Sequence, residues 1–256
     1  DNSGRVFVTD TDNNRIQRFG ADGAYQSKWG SFGATAGLFD YPYGVCASVS
    51  GKVYVVDVNN HRVQRFDSEG TFELEWGVEG TGNGAFNMHY GITADAAGFV
   101  YVVDTYNHRV QKFTADGAYS SQFGSYGTNN GQLNYPFGAA VDTAGNIYVA
   151  DTYNHRIQKF GPAGNYINQW GVFGTSEGRF RYPYDVAVDA NDNIYVADSD
   201  NHRIQKFTST GTYLCQWGKN GTGPGEFNFP YGLAVDPGGN VYVADSENHR
   251  VQKFGP

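Results

Sequence analysis

Few cysteines, methionines and prolines occur in this chain, with two, one and eight of each among 256 residues. Two cysteines are too few for a disulfide-based scaffold, and Cys46 and Cys215 do not have the spacing of a metal-binding motif. We expect both to be free thiols. Apolar runs are only a few residues long, far below the ~20 that a membrane-spanning helix needs, so no membrane insertion is expected. No charged and then apolar leader opens the chain, which begins at Asp1.

Basic residues are also scarce, since 18 Lys and Arg face 26 Asp and Glu and the net charge is −8. A field of this sign repels polyanions, which makes nucleic acid an unlikely partner. Only Arg179 and Arg181 are close neighbours among the basic residues outside the repeated positions. What the chain does have is 35 glycines and 16% aromatic residues, a composition typical of many short strands joined by tight turns.

An internal repeat of 47 residues dominates the sequence. One aspartate recurs at this constant step, as Asp10, Asp57, Asp104, Asp151, Asp198 and Asp245. The text around it is nearly the same each time, for example IYVADTYNHRIQKF and VYVADSENHRVQKF, and VFVTDTDNNRIQRF is the most divergent copy. One unit of structure is therefore repeated six times without insertions.

Each repeat contains four segments that read as strands, here named a to d. In the fifth copy they are residues 184–189, 193–198, 202–207 and 212–217. In strand b, Val53 and Val55 point to one face while Tyr54 and Val56 point to the other, so both faces of the sheet need cover. Stacking between two copies of itself provides that cover, and this predicts an all-β, six-bladed β-propeller of four-stranded antiparallel blades.

The run [IV]YV[AV]DxxNHR[IV]Q[KR]F, followed by Trp-Gly and YPYG, resembles the NHL repeat over the whole chain. The resemblance implies a six-bladed propeller and a single domain over residues 1–256. By repeat register Asp1 matches Asp236 and Pro256 matches Ser209, so the first and last blades are expected to be incomplete. We expect the chain to be a fragment or one domain of a longer parent, and self-association through the incomplete ring is a further possibility.

The histidines and arginines of the repeat are interpreted as structural. A ring spreads one residue per blade around its circumference, whereas a tetrahedral metal site needs its ligands within about 2.3 Å of one ion. We therefore expect no metal, no cofactor and no catalytic residues. The Asp that ends strand b and the Arg that begins strand c can pair across the turn between them, or bond the main chain of that turn.

Departures from the repeat indicate where a ligand would bind. Strand a starts with an aromatic residue in five copies, and three polar exceptions lie beside this position: His89 replaces proline, Asp185 replaces glycine and Arg181 replaces Asp or Asn. The candidate ligand-binding rim comprises Tyr43, His89, Tyr90, Phe137, Arg181, Tyr184, Asp185 and Tyr231. These aromatics could equally pack the ends of neighbouring blades.

Three functions are compatible with this pattern. The favoured one is a non-catalytic binding platform for a protein, peptide or glycan on the face formed by the d-to-a and b-to-c loops, where Tyr106, Tyr153, Asp200 and Glu247 vary. A second is a metal-dependent lyase or hydrolase in the axial channel, with His89, Asp185 and Arg181 as its possible active-site residues. A third is a structural or assembly unit of a larger surface protein. The acidic charge and Tyr/Asn/Gly-rich loops favour an extracellular or cell-surface location.

Overall fold

A computed structural model describes Asp1 and residues 3–256. The chain is an all-β six-bladed propeller of antiparallel blades. Five 3₁₀ turns of three residues each, Thr11–Asn13, Thr105–Asn107, Thr152–Asn154, Ser199–Asn201 and Ser246–Asn248, are the helical segments of the described residues. The described part of the chain has no helix with the length and hydrophobicity of a membrane span.

The strands follow the repeat. Blade 1 contains β1 (Val6–Asp10), β2 (Arg15–Phe19) and β3 (Tyr25–Trp29), and blade 2 contains β4 (Pro42–Ala47), β5 (Val53–Asp57), β6 (Arg62–Phe66) and β7 (Phe72–Trp76). The short parallel pair β8 (Val78–Glu79) and β9 (Ala85–Phe86) precedes blade 3, which contains β10 (Ile92–Ala94), β11 (Val100–Asp104), β12 (Arg109–Phe113) and β13 (Tyr119–Phe123). Blade 4 contains β14 (Ala139–Val141), β15 (Ile147–Asp151), β16 (Arg156–Phe160) and β17 (Tyr166–Trp170). Blade 5 contains β18 (Pro183–Val188), β19 (Ile194–Asp198), β20 (Arg203–Phe207) and β21 (Tyr213–Trp217), and blade 6 contains β22 (Pro230–Val235), β23 (Val241–Asp245) and β24 (Arg250–Phe254).

Blades 1 and 6 are three-stranded, as the repeat register predicts. The strands belong to two compact units, Asp1–Gln122 and Phe123–Pro256, which are called the first and second units below. In every blade the strands pair in chain order, so each blade is a simple antiparallel meander.

Strand b is buried on both faces, which confirms the expectation from its sequence. All five residues of β5 are buried. Val53 and Val55 pack in a cluster with Ile16 of the preceding blade. Tyr54 and Val56 belong to a different cluster, which includes Ile92 of the following blade. The alternation of a strand thus places successive side chains against two different neighbouring blades.

Glycine at the fourth position of the YPYG motif permits the innermost strands to come close together. A Cβ atom built on Gly44 would lie 2.3 Å from the carbonyl oxygen of Tyr90, in the innermost strand region of the next blade. No side chain fits at that distance, so the contact between these two strands requires glycine.

Candidate functional site

The d-to-a loop and the b-to-c turn of a blade lie at the same end of its sheet. In blade 5, Pro183 at the start of β18 pairs with Asp198 at the end of β19. Pro42 and Asp57 pair in the same way in blade 2. The loop that precedes strand a and the turn that follows strand b therefore share one end of each blade, which we call the loop end.

The repeated aspartate and arginine hold the loop end together. In blade 3 the buried Asp104 accepts a hydrogen bond from Arg109 Nε at 2.7 Å through Oδ2, and one from the main-chain N–H of Asn87 at 2.8 Å through Oδ1. Arg109 Nη2 donates to the carbonyls of Gly82 and Ala85 at 2.7 and 2.9 Å. The predicted pairing is confirmed, and the main-chain partners of the pair lie in the preceding d-to-a loop.

Burial and hydrogen bonding compete at these aspartates. Burial raises the pKa of Asp57, Asp151 and Asp198, although the main-chain and side-chain donors around each carboxylate act to lower it. At Asp245, in the three-stranded blade 6, burial also acts to raise the pKa, but the hydrogen bonds outweigh it and the pKa is lowered. Each aspartate is thus an acceptor for several donors of the loop, which is a structural task.

The repeated histidine bonds to the main chain of the next blade. Its Nδ1 accepts a hydrogen bond from the N–H of the aromatic residue that precedes the proline of the YPYG motif. This contact joins His155 to Tyr182 at 3.2 Å and His202 to Phe229 at 3.3 Å, and in the first copy it joins Asn14 Oδ1 to Tyr41 at 2.9 Å. The histidines that make this bond serve a structural role, as the repeat predicts.

The residue whose N–H is bound in this way has a left-handed backbone. The φ angles at this position are +61° at Tyr41, +47° at Met88, +43° at Tyr135, +48° at Tyr182 and +50° at Phe229. A bulky residue in this region costs about 1 to 3 kcal/mol, and such strain concentrates at functional sites. The strained positions form part of the loop end.

The aromatic residues at the start of strand a contact one another within each unit. In the second unit, the ring of Tyr184 lies 4.7 Å from that of Phe137 and 4.5 Å from that of Tyr231. In the first unit, the rings of Tyr43 and Tyr90 are 5.0 Å apart. All five side chains are half-buried, and burial raises the pKa of Tyr90 to about 12. The rings therefore pack against each other and still present part of their surface.

A second group of aromatic residues at the loop end is more exposed. In the second unit the ring of Tyr153, 47% exposed, lies 5.0 Å from that of Tyr135 and 5.3 Å from that of Tyr182. Phe173 is 58% exposed, and the guanidinium of Arg181 lies 5.9 Å from its ring. We call Tyr135, Tyr153, Phe173, Arg181 and Tyr182 the aromatic surface of the second unit.

Arg181 has an unused hydrogen-bond donor. Its Nε atom is buried and has no partner among the described residues. Asp200, which the sequence analysis expected to be exposed, is half-buried beside this surface. Burial raises the pKa of Asp200, against the opposing effect of Arg181. Charged and aromatic groups of the kind that bind ligands thus meet here.

His89 does not reach the surface. Its side chain is fully buried and stacks on Phe86 at 4.4 Å, with the two rings 8° from parallel. Its Nε2 lies 2.9 Å from the carbonyl oxygen of Arg62, so this nitrogen donates. Burial lowers the pKa of His89 to about 3, which leaves the imidazole neutral at physiological pH. In this structure His89 cannot present its imidazole to a ligand at the rim.

Asp185 connects the innermost strands of the second unit. Its Oδ2 accepts a hydrogen bond from the N–H of Leu233 at 2.8 Å, and its Oδ1 accepts one from the N–H of Val186 at 2.9 Å. A Cβ atom on Gly138 would lie 2.1 Å from Oδ1, so the carboxylate occupies space that the glycine leaves. Enclosure of this carboxyl raises its pKa to about 7. Sequence reasoning assigned Asp185 to a ligand, whereas its two oxygens serve the main chain here.

Sequence reasoning missed a cavity at the opposite end of the second unit. It has a volume of about 310 Å³ and is lined by Asp189, Tyr195, Lys206 and Pro256, among others. The cysteines are free, with Cys215 exposed and Cys46 half-buried, and burial raises the pKa of Cys46 to about 12. Among the described residues no group of three or more His, Cys, Asp or Glu side chains is placed to hold a metal ion.

Comparison with known proteins identifies the repeat. The family model described as NHL repeat matches residues 39–66, 91–113, 133–160, 180–207 and 227–254, which together make up just over half of the chain. The copy around Asp10, the most divergent in sequence, lies outside these matches. Comparison with curated protein sequences finds no match.

Several solved structures share the fold. A streptogramin B lyase is similar with a TM-score of 0.70 and 15% identity over 99% of this chain and 76% of its own. Virginiamycin B lyase from Staphylococcus aureus gives 0.66 and 14%, over 100% and 82%. A chain of a nidogen/laminin complex gives 0.69 and 15%, over 98% and 93%. At these identities the similarity shows the fold alone, because one fold carries many functions.

Proposed function

We propose that this chain, which belongs to the NHL-repeat family, is a non-catalytic binding module whose ligand docks at the loop end of its blades. The observation that carries the proposal is the aromatic surface of the second unit. It combines exposed rings with a buried, unpartnered donor on Arg181. Aromatic residues and arginine are enriched at interfaces, where a few of them supply most of the binding energy.

The backbone beneath this surface supports the proposal. Tyr182 is held in a left-handed conformation by the bond from its N–H to His155, and its ring contacts Tyr153. An aromatic side chain fixed in this way loses little conformational entropy on binding, which favours affinity. The half-buried row of Phe137, Tyr184 and Tyr231 offers a further set of rings in the same unit.

The ligand class proposed is a protein, peptide or glycan. Tyrosine rings stack on apolar faces of peptides or sugars while their hydroxyls form hydrogen bonds. The net charge of −8 disfavours a polyanionic ligand. A chain of similar fold occurs in a nidogen/laminin complex, which is consistent with protein binding by this architecture. We also propose an extracellular or cell-surface location, where such ligands are abundant.

The module is proposed to be non-catalytic even though similar folds include streptogramin B lyase. The residues that sequence reasoning offered for catalysis have other tasks. His89 is buried and neutral, and Asp185 is hydrogen-bonded to Leu233 and Val186. Of the three, Arg181 alone is partly accessible, and a single arginine does not make an acid–base pair.

A binding screen tests the proposal. Fluorescently labelled protein is applied to glycan and peptide arrays, and each bound compound is titrated against two double variants. Tyr153→Ala with Arg181→Ala removes two groups of the aromatic surface and is expected to weaken binding more than about tenfold. The matched control, Tyr25→Ala with Lys28→Ala, removes an exposed tyrosine and an exposed lysine from β3 and should bind normally. Equal binding by both variants, or arrays without any bound compound, would contradict the proposal.

A further inference from the structure

The outer edge of β24 is not paired within the described chain. In blades 1, 2, 4 and 5 the third strand of the repeat pairs with an outermost strand, as β2 with β3, β6 with β7, β16 with β17 and β20 with β21. β24 is the equivalent third strand of blade 6, but its sheet contains three strands and ends at β24. Its outward main-chain N–H and C=O groups are therefore available for pairing.

Side chains on β24 are exposed where their equivalents are covered. Val251 is 41% exposed, whereas the equivalent Ile204 in β20 is fully buried. The side chain of Arg250 is 30% exposed, against 8% for Arg203. An apolar residue on an unpaired edge favours the addition of another strand.

The complete blades define what such a strand looks like. In blade 5 Ile204 lies opposite Trp217 and Phe207 lies opposite Tyr213, with a bulge between Lys206 and Phe207. Blades 1, 2 and 4 repeat this register, with Trp29, Trp76 and Trp170 opposite Ile16, Val63 and Ile157. An aromatic residue followed four positions later by tryptophan thus forms the apolar part of the outermost strand.

Arginine adds a polar requirement. Arg203 Nη1 donates to Gln216 Oε1 at 2.8 Å, and Arg156 donates to Gln169 at 2.7 Å. Arg62 pairs with Glu75 at 2.9 Å in the same position. Gln or Glu directly before the tryptophan is therefore the expected partner of Arg250, and the preferred sequence becomes Tyr-x-x-Gln/Glu-Trp.

The cavity at the end of the second unit opposite the loop end gives a second, independent indication. In the preceding pair of blades, Tyr148 and Lys159 donate to the carbonyl oxygen of Ser209, in the turn that leads into β21. Their equivalents one repeat later, Tyr195 and Lys206, line the 310 Å³ cavity together with Pro256. The turn residues of an added outermost strand would enter this cavity.

We propose that β24 and this cavity form a docking site for an extended peptide of the sequence type Tyr-x-x-Gln/Glu-Trp, which adds as a fourth antiparallel strand. Main-chain hydrogen bonds to β24 provide affinity, as in other cases of β-augmentation. Tryptophan opposite Val251, the aromatic residue opposite Phe254 and the acceptor for Arg250 provide specificity. This site is distinct from the loop end and does not depend on the proposed function.

The probe is a fluorescein-labelled peptide with the sequence of residues 210–219 carrying Cys215→Ser, which contains Tyr213, Gln216 and Trp217. Fluorescence anisotropy with the full chain is expected to show saturable binding. Hydrogen exchange should slow at residues 250–254 in the complex. The same peptide with Tyr213→Ala and Trp217→Ala is expected to bind more than about tenfold more weakly.

Two protein variants locate the site. Val251→Lys places a charge opposite the peptide tryptophan and is expected to weaken binding more than about tenfold. Leu214→Lys makes the same change at an exposed apolar residue, 47% accessible, on the paired strand β21 and should leave binding unchanged. Circular dichroism establishes that both variants are folded, and Val251→Thr replaces Val251→Lys if it is not.

Three results would overturn the proposal. The first is an absence of saturable binding up to about 1 mM peptide, where any specific site of use would be occupied. The second is binding that Val251→Lys leaves unchanged or that protects residues other than 250–254. The third is exchange at 250–254 in the free protein as slow as at 203–207, because an edge that is already paired cannot take up a peptide.

Discussion

Asn14 accepts a hydrogen bond from the main-chain N–H of Tyr41 at 2.9 Å, in the place where later blades use histidine. The Oδ1 atom of Asn and the Nδ1 atom of His are the same number of bonds from Cα, so either can accept this bond. Both residue types also tolerate the left-handed backbone found here, with φ of +52° at Asn14 and +54° at His155. The exception in the first repeat is therefore a substitution of like for like.

Asn14→Ala is expected to destabilise the chain by about 1 kcal/mol, because the N–H of Tyr41 loses its acceptor. Asn14→His restores an acceptor and should change the free energy of unfolding by less than about half of that amount. Urea unfolding of the two variants beside the parent chain measures both values. A histidine variant as unstable as the alanine variant would show that the bond contributes nothing.

Arg109→Ala is expected to destabilise by about 3 kcal/mol, because it leaves the carboxylate of Asp104 buried without its cation. The matched variant is Arg250→Ala, which removes equivalent bonds to Asp245 and to the d-to-a loop. The side chain of Arg250 is 30% exposed against 8% for Arg109, so water can replace it and the loss should be smaller. Urea unfolding compares the two, and equal losses would contradict the role given to burial.

Gly44→Ala should destabilise by about 1 to 3 kcal/mol, because its Cβ would meet the carbonyl oxygen of Tyr90 at 2.3 Å. Gly232→Ala is the matched control, since the nearest atom to its Cβ is that of Ala244 at 3.3 Å. Neither glycine has a positive φ, so the comparison isolates close approach from backbone conformation. Thermal unfolding should rank Gly44→Ala below Gly232→Ala, and the reverse order would be inconsistent with this packing.

Asp185 should give stability a pH dependence of defined sign. Its pKa of about 7 in the folded chain exceeds the value of about 3.9 for an unfolded aspartate. Between these values the folded state binds more protons, so this group lowers the free energy of unfolding as pH rises from about 4 to 7. Urea unfolding across this range should show a smaller decline for Asp185→Asn than for the parent. Parallel curves would mean that the carboxyl titrates normally.

Much of the fold could be predicted from the repeat. The 47-residue step and the two apolar faces of strand b indicate six stacked sheets, and the structure confirms them. The pairing of Asp104 with Arg109 was also predictable, because the two residues flank a short turn. These features depend on residues close together in the chain, for which spacing and alternation are reliable guides.

The roles of the rim residues were harder to predict. His89 and Asp185 both replace a repeated residue, and both looked like polar groups available to a ligand. His89 lies instead on Phe86, and Asp185 bonds to Leu233 in another blade. A departure from a repeat shows that a position differs, but the direction of the side chain depends on a neighbouring blade that spacing along the chain does not describe.

The sequence by itself determined the number of blades, the order of strands and the residues that close each loop, because every copy repeats the same local pattern. The tertiary structure decided which departures are buried, which rings remain accessible and where a strand edge is left unpaired. Those properties arise from contacts between one blade and the next. Such contacts join residues dozens of positions apart, as in the bond from Leu233 N–H to Asp185, and their geometry is defined only when the sheets are stacked.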